Sequence, residues 1–362
     1  MAQWHGLDVT DRTVLVATTN SGGALGVLAA LLNAGARVRL LAPDPTPAVL
    51  DLADRERLEV VRATFDPTLL DGVALVITAE HDTVGDAVLS AARDRGVIAH
   101  RLPAPGDGRP SHDRPRRERG EVILIGGGPG DPGLLTVEGL EMIKDADVIA
   151  TDRLAPLAAL DQARPGTEII DVGKVPRGPG AEQQTIESLL IERARAGQKV
   201  VRLKGGDSFV FGRGGEEWQS CAAAGVAVRV VPGVTSATAA PAAATIPVTH
   251  RQLSQGFCAV TGHVPPGDPR STVDWSALAR SGCTLVIMMG MANLAAIAET
   301  LINSGLPAET PAAVIEDGTL PSMRTLRAPL VEIAGRAAEQ GLGAPATVVI
   351  GAVAGFDPGA AG

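Results

Sequence analysis

Residues 121–136 read EVILIGGGPGDPGLLT. An apolar run, Val122 to Ile125, reads as a buried strand. Glycine and proline then stop it within a few residues. A dinucleotide fingerprint would need glycine at 126, 128 and 131. Position 131 is Asp131 and position 129 is Pro129, and no Gly-Lys-Ser/Thr follows. The turn is therefore neither a standard dinucleotide loop nor a phosphate loop. It is a stiff turn poor in Cβ atoms, at the C-terminal end of a strand, where a ligand can approach the backbone.

Toward the C-terminus the pattern alternates. A helix (VEGLEMIKDA, 137–146) precedes two strands, DVIATD (147–152) and EIIDVGK (168–174). Helix QQTIESLLIERARAG (183–197), strand KVVRLKGGD (199–207), helix EEWQSCAAAG (216–225) and strand VAVRVVPG (226–233) follow. After about residue 250 the pattern restarts with FCAVTGH (257–263), a Pro/Gly loop (264–269) and CTLVIMMG (283–290). NLAAIAETLINSG (293–305), PAAVIEDG (311–318), LVEIAGRAAEQG (330–341) and ATVVIGAVAG (346–355) complete it. This predicts two α/β subdomains, 121–249 and 250–356, with a ligand in the cleft between them.

Toward the N-terminus, TVLVA (13–17), the loop TNSGG (19–23), an Ala/Leu helix ending near Gly35 and RVRLLAP (37–43) form a β-α-β unit. VALVITA (73–79) adds a strand and DAVLSAARDRG (86–96) a helix. Residues 1–104 thus read as a small Rossmann-like domain. Residues 105–120, rich in Pro, Gly, Arg and Asp, read as a linker.

Composition narrows the function. Of 362 residues, 45% are apolar, which supplies buried cores, and the net charge is −9. That charge, with 2% aromatics and no Tyr, argues against nucleic-acid or anionic-membrane partners. The start lacks a basic and then apolar leader, and no apolar run reaches the ~18 residues of a span, so a cytoplasmic protein is expected. Three cysteines, widely spaced, and six histidines without ligand spacing predict no metal.

The run VVRLKGGDSFVFGRGGEE (200–217) carries the strongest site signal. Phe209, Val210 and Phe211 lie between two glycine pairs, an apolar wall beside bare backbone that suits a planar, partly apolar ligand. Asp152 and Lys174 end strands where open α/β sheets place ligand contacts. In PGVTSA (232–237), Thr235 or Ser236 is expected to cap a helix.

LIGGGPGDPGLLT, TDRL, VGK, the 200–217 run, VVPGVTSA, IPVTHR and VTGH occur in the order found in uroporphyrinogen-III C-methyltransferases. Over about 121–356 the chain resembles that group of the tetrapyrrole methylase family. The resemblance implies S-adenosylmethionine-dependent methylation of uroporphyrinogen III at carbons 2 and 7, giving precorrin-2 for sirohaem or cobalamin, by a homodimer. It implies donor contacts from Pro129, Gly205, Gly206, Asp207, Val210, Thr235, Ser236, Met289 and Gly318. It implies Asp152 as proton acceptor and Lys174 as proton donor. Arg153, Lys174, Lys204, Arg213, His250, Arg251 and His263 are candidate partners for substrate carboxylates. Ser208 replaces the family's usual proline, Thr151 an aromatic and Val175 a basic residue.

Residues 1–104 resemble the precorrin-2 dehydrogenase and ferrochelatase module of fused sirohaem synthases, in degenerate form. Thr19-Asn20-Ser21 stand where that module has three glycines, and Glu80-His81 match its acidic pair. Its dimerisation and helical segments are missing. The expectation is no NAD chemistry and no iron insertion. The alternatives are a bifunctional sirohaem synthase with active dehydrogenase, a methylase of a later precorrin, and a non-catalytic tetrapyrrole- or donor-binding protein.

Overall fold

The computed structural model describes residues 7–19, 21, 24–55, 58–78, 83–102, 120–174 and 181–357. Linker residues 105–119, Asn20, Gly22-Gly23, Glu80-His81, Val175 and the Lys174 side chain lie outside that description. The chain divides into two compact units, Met1–Gly128 with Pro132–Gly233, and Pro129–Asp131 with Val234–Gly362.

The first unit holds two parallel sheets. The N-terminal one runs β1 (Thr13–Ala17), α1 (Leu25–Asn33), β2 (Arg37–Leu41), α2 (Pro47–Arg55), β3 (Leu58–Val61), β4 (Val73–Thr78), α3 (Thr83–Asp94) and β5 (Ile98–Arg101). Its strand order is β3-β2-β1-β4-β5, all parallel. Sequence reading missed α2, β3 and β5. β5 is an edge strand of mostly exposed residues (IAHR), so no apolar period marks it.

The second sheet uses β6 (Glu121–Gly126), α4 (Val137–Lys144), β7 (Val148–Thr151), β8 (Glu168–Asp171), α5 (Ala181–Arg195), β9 (Lys199–Lys204), α6 (Gly214–Ala223) and β10 (Ala227–Val231). Its order is β10-β6-β9-β7-β8, again all parallel, with β9 central and buried throughout. Thr136 caps α4 by accepting the Gly139 amide at 3.1 Å. The two sheets share one core. Leu25, Leu28, Ile125, Leu157 and Leu160 belong to a single buried cluster. Gly26 of α1 leaves so little room that an added Cβ would stand 3.3 Å from Ile169 Cδ1.

The second unit holds α7 (Ser236–Ala243), β11 (Phe257–Thr261), α8 (Trp275–Ala279), β12 (Thr284–Met288), α9 (Leu294–Asn303), β13 (Pro311–Glu316), β14 (Arg324–Pro329), α10 (Leu330–Glu339) and β15 (Ala346–Ile350). Its order is β11-β12-β15-β13-β14, and only β11 and β12 pair in parallel. β14 was not read from the sequence: in RTLRAP, Leu326 and Ala328 are buried, while Arg324, Thr325 and Arg327 are exposed. Residues 317–323 join β13 to β14, too few for a helical crossover, so this pair is antiparallel.

Candidate active site

In the first unit the loops after β6, β9 and β10 meet at the C-terminal edge of the sheet. Gly127 N donates to Lys204 O at 2.7 Å. Gly128 and Gly206 exchange both amide bonds, at 3.0 and 2.6 Å. These contacts explain the glycines physically. An added Cβ on Gly126 would lie 2.6 Å from Gly233 Cα, and one on Gly233 would strike the Gly206 carbonyl. Gly206 itself has φ +66°, where a side chain is strained. The bare backbone first lets three loops pack on each other.

Asp207 locks this arrangement. Its Oδ1 accepts Phe209 N at 2.8 Å, and its Oδ2 accepts Gly233 N at 2.9 Å. Beyond it, Phe209, Val210 and Phe211 are exposed by 55, 37 and 39%. Phe211 and Arg213 both adopt left-handed φ of 57°, which holds this apolar segment in a strained turn.

Asp152 follows β7. Its Oδ1 accepts Leu154 N at 3.2 Å, and its Oδ2 accepts Arg202 Nη2 at 2.9 Å. Arg202 Nε and Lys204 Nζ both donate to Glu217 Oε1, at 3.1 and 3.0 Å. Arg202, Lys204 and Glu217 are buried, and the Asp152 side chain remains 29% exposed. Burial, and then the Arg202 charge, pushes the Lys204 ammonium below its ordinary pKa. Burial opposes the Arg202 charge too, but Asp152 and Glu217 outweigh it and raise that pKa.

Sequence reading missed Arg202 and Glu217. The signal was present, since Arg202 is a charge inside the apolar run VVRLK. Lys204 was grouped with the substrate-binding cations. The structure places its ammonium 3.0 Å from Glu217 Oε1, on a side chain only 6% exposed. Of the remaining candidates in this unit, Arg153 is exposed, and Arg213 is half-exposed and paired with Glu216. Lys174 closes the 3-10 turn Val172–Lys174 after β8.

The second unit carries the rest. Thr235, not Ser236, caps α7, its Oγ1 accepting Ala237 N at 3.3 Å. Met289, just past β12, is 50% exposed at φ +54°. Gly318 follows β13 between Asp317 and Thr319, both with positive φ. A Cβ there would meet Ala240 Cβ at 2.5 Å. Pro129 precedes Gly130, which packs on Leu320. The His250 ring packs against Phe356 with centroids 5.3 Å apart and planes tilted by 43°, while Arg251 and His263 are exposed. Among the described residues no three His, Cys, Asp or Glu side chains gather to hold a metal. None of the described helices is long and apolar enough to cross a membrane.

Comparison with known proteins agrees with this layout. The family model "Tetrapyrrole (Corrin/Porphyrin) Methylases" matches residues 121–334. A second, "Putative NAD(P)-binding", matches residues 6–108. That match agrees with the Rossmann-like reading of the N-terminal residues: the domain is of an NAD(P)-binding type. The siroheme synthase of Thiobacillus denitrificans is 37% identical over 353 residues, 95% of this chain and 70% of that protein. Siroheme synthase 1 of Klebsiella pneumoniae is 46% identical over 241 residues, 67% of this chain and 50% of that one. The uroporphyrin-III C-methyl transferase of Thermus thermophilus, solved with S-adenyl homocysteine, superposes with TM-score 0.54 and 38% identity, over 64% of this chain and 92% of that one.

Proposed function

Because the chain belongs to the tetrapyrrole methylase family, we propose that it transfers methyl groups from S-adenosylmethionine to carbons 2 and 7 of uroporphyrinogen III. The observation that carries this is Asp152, a partly exposed carboxylate seated on a buried cation at the sheet's C-terminal edge, beside the Gly205-Gly206 loop. The named similarity of the Thermus enzyme supplies the substrate class.

The proposed donor contacts are the residues that the family resemblance implies. The first unit offers Gly205, Gly206, Asp207 and Val210, and the second offers Pro129, the cap Thr235 with Ser236, Met289 and Gly318. A non-glycine residue in left-handed backbone, as at Met289, often marks a functional constraint. The donor supplies an electrophilic methyl group. The protein's own work is alignment, which alone is worth about 7–11 kcal/mol. Asp152 then stabilises the cationic macrocycle and accepts the departing proton. Lys174 is the proposed proton donor, and Arg153, Arg213, His250, Arg251 and His263 are proposed carboxylate partners. A homodimer is proposed on the family's pattern.

Anaerobic incubation with uroporphyrinogen III and S-adenosylmethionine, read by mass spectrometry, tests this. Gain of two methyl groups is expected. No gain with S-adenosylhomocysteine still bound would remove uroporphyrinogen III as substrate. Asp152→Asn should keep that binding and lose roughly 100-fold or more in turnover; unchanged turnover would take Asp152 out of the mechanism.

A second reading concerns the N-terminal domain. The siroheme synthase relatives span nearly the whole chain, and this favours a bifunctional enzyme that also oxidises its methylated product with NAD. The sheet order reverses between β1 and β4, where open parallel sheets bind nucleotides. Ser21 occupies that turn, buried, with its Oγ accepting Thr46 N at 3.0 Å. NADH formation from precorrin-2 and NAD supports this reading, and its absence returns the domain to a structural role.

A further inference from the structure

An arginine in the middle of β9 works against stability. A guanidinium in a parallel sheet covered on both faces loses its water. Exchanging a buried ion pair for apolar residues is often neutral or stabilising. Arg202 is nonetheless 3% exposed on the central strand of its sheet. Its fork is almost fully committed. Nε reaches Glu217 Oε1 at 3.1 Å, and Nη1 reaches the carbonyls of Leu203 at 3.0 Å and Ala150 at 3.4 Å. Nη2 reaches Asp152 Oδ2 at 2.9 Å. Ala150 is the residue opposite Arg202 in the β7–β9 register. The guanidinium plane is thus fixed against the strand that delivers Asp152.

Lys204, two residues on and therefore on the same face of β9, shares Glu217 Oε1. Two cations and two carboxylates balance, and Asp152 is the member that reaches furthest toward solvent. Charge balance alone gives no reason for the network to end at the sheet edge. Glu217 Oε2, buried without a hydrogen bond, is a further cost that the arrangement carries.

We infer that Arg202 is a positioning residue for methyl transfer, its fork seated by Glu217 and holding the Asp152 carboxylate in one orientation. This rests on the role proposed above for Asp152. A lysine cannot substitute, because one ammonium lacks the planar fork that spans Glu217, two carbonyls and Asp152.

The test is a double-mutant cycle on turnover in the full chain, with Arg202→Lys, Asp152→Asn and both together. Arg202→Lys keeps the charge facing Glu217. It should lower kcat on the order of tenfold or more, with S-adenosylhomocysteine affinity held within about twofold. Added to Asp152→Asn it should change nothing further. Wild-type turnover in Arg202→Lys, or losses that multiply with Asp152→Asn, overturns the inference. If Arg202→Lys fails a thermal-melt check, Arg202→Gln enters the same cycle. A crystal structure of whichever variant folds gives a readout free of substrate. Displacement of Asp152 Oδ2 supports positioning, and an unmoved carboxylate overturns it. A wild-type protein that leaves uroporphyrinogen III unmethylated sinks the proposed reaction, while that crystallographic readout still decides on Arg202.

Discussion

Asp207 and Gly233, 26 residues apart in the chain, are joined by a 2.9 Å hydrogen bond from the Gly233 amide to Oδ2 of the carboxylate. With Phe209 N on Oδ1, both oxygens are committed to backbone donors. An acid placed after two glycines therefore holds two loops in register, whatever else it touches.

Asp207→Asn should destabilise the protein. Asparagine supplies one acceptor and turns its NH2 toward a second backbone donor. An unsatisfied or opposed amide costs about 1–3 kcal/mol. The measurement is the urea midpoint, and a midpoint equal to the wild type would mean that the loop tie is dispensable.

Gly206 and Gly233 should respond differently to alanine. Gly206 needs its left-handed backbone, and Gly206→Ala should cost about 1–2 kcal/mol. Gly233→Ala drives a Cβ into the carbonyls of Gly206 and Gly126, which are backbone and cannot swing away. Its loss should exceed that of Gly206→Ala by at least roughly 1–3 kcal/mol, in the range of overpacked cores. Denaturant unfolding of the pair checks the order, and the reverse order would contradict the packing described.

Glu217→Ala should be severe and Glu216→Ala mild, though the two are neighbours. Glu217 is fully buried and serves Arg202 and Lys204 together. Stranding a buried charge costs about 3–5 kcal/mol. Glu216 pairs with Arg213, and both are more than half exposed, a contact worth about 0–1 kcal/mol. Comparable unfolding midpoints for the two variants would refute the buried network.

How far such features were legible depends on where their partners lie in sequence. The strands of the second sheet were readable because parallel strands buried on both faces are continuous apolar runs, as in VILI at 122–125. The same rule made Arg202 a conflict, because β9 has no wet face for a charge. The sequence alone offers no means of choosing Glu217 and Asp152 as its partners. The glycines of 126–128 and 205–206 were legible as a special turn. Their reason was only half legible, since the backbone they admit is first that of neighbouring loops. β14 escaped because its alternation is only two apolar residues long, Leu326 and Ala328, set among arginines and a proline. A hydroxyl cap at the start of α7 was readable, while the choice of Thr235 over Ser236 came from the structure.

Cys221 gives the last prediction, one of pH. It sits on α6 with no exposed surface, and burial, then Glu217 and Glu187, push its thiol from 9.0 up to about 11. The folded-state pKa is raised, so between these values the native chain keeps the proton and the unfolded chain releases it. Stability is thus present below pH 9 and lost as pH climbs toward about 11. Two units correspond to roughly 2–3 kcal/mol at most. Lys204 acts in the opposite direction. Its lowered pKa means that the unfolded chain holds a proton the native one has lost, so stability rises with pH just below 10.5. Lys204 is unchanged in Cys221→Ala, so subtracting the two proteins cancels its part. Denaturation of wild type and Cys221→Ala at intervals from about pH 8 to 11 should show a steeper fall in the wild type alone. Parallel curves would mean that the thiol titrates as an ordinary exposed one, and the packing of α6 against the sheet would need to be redrawn.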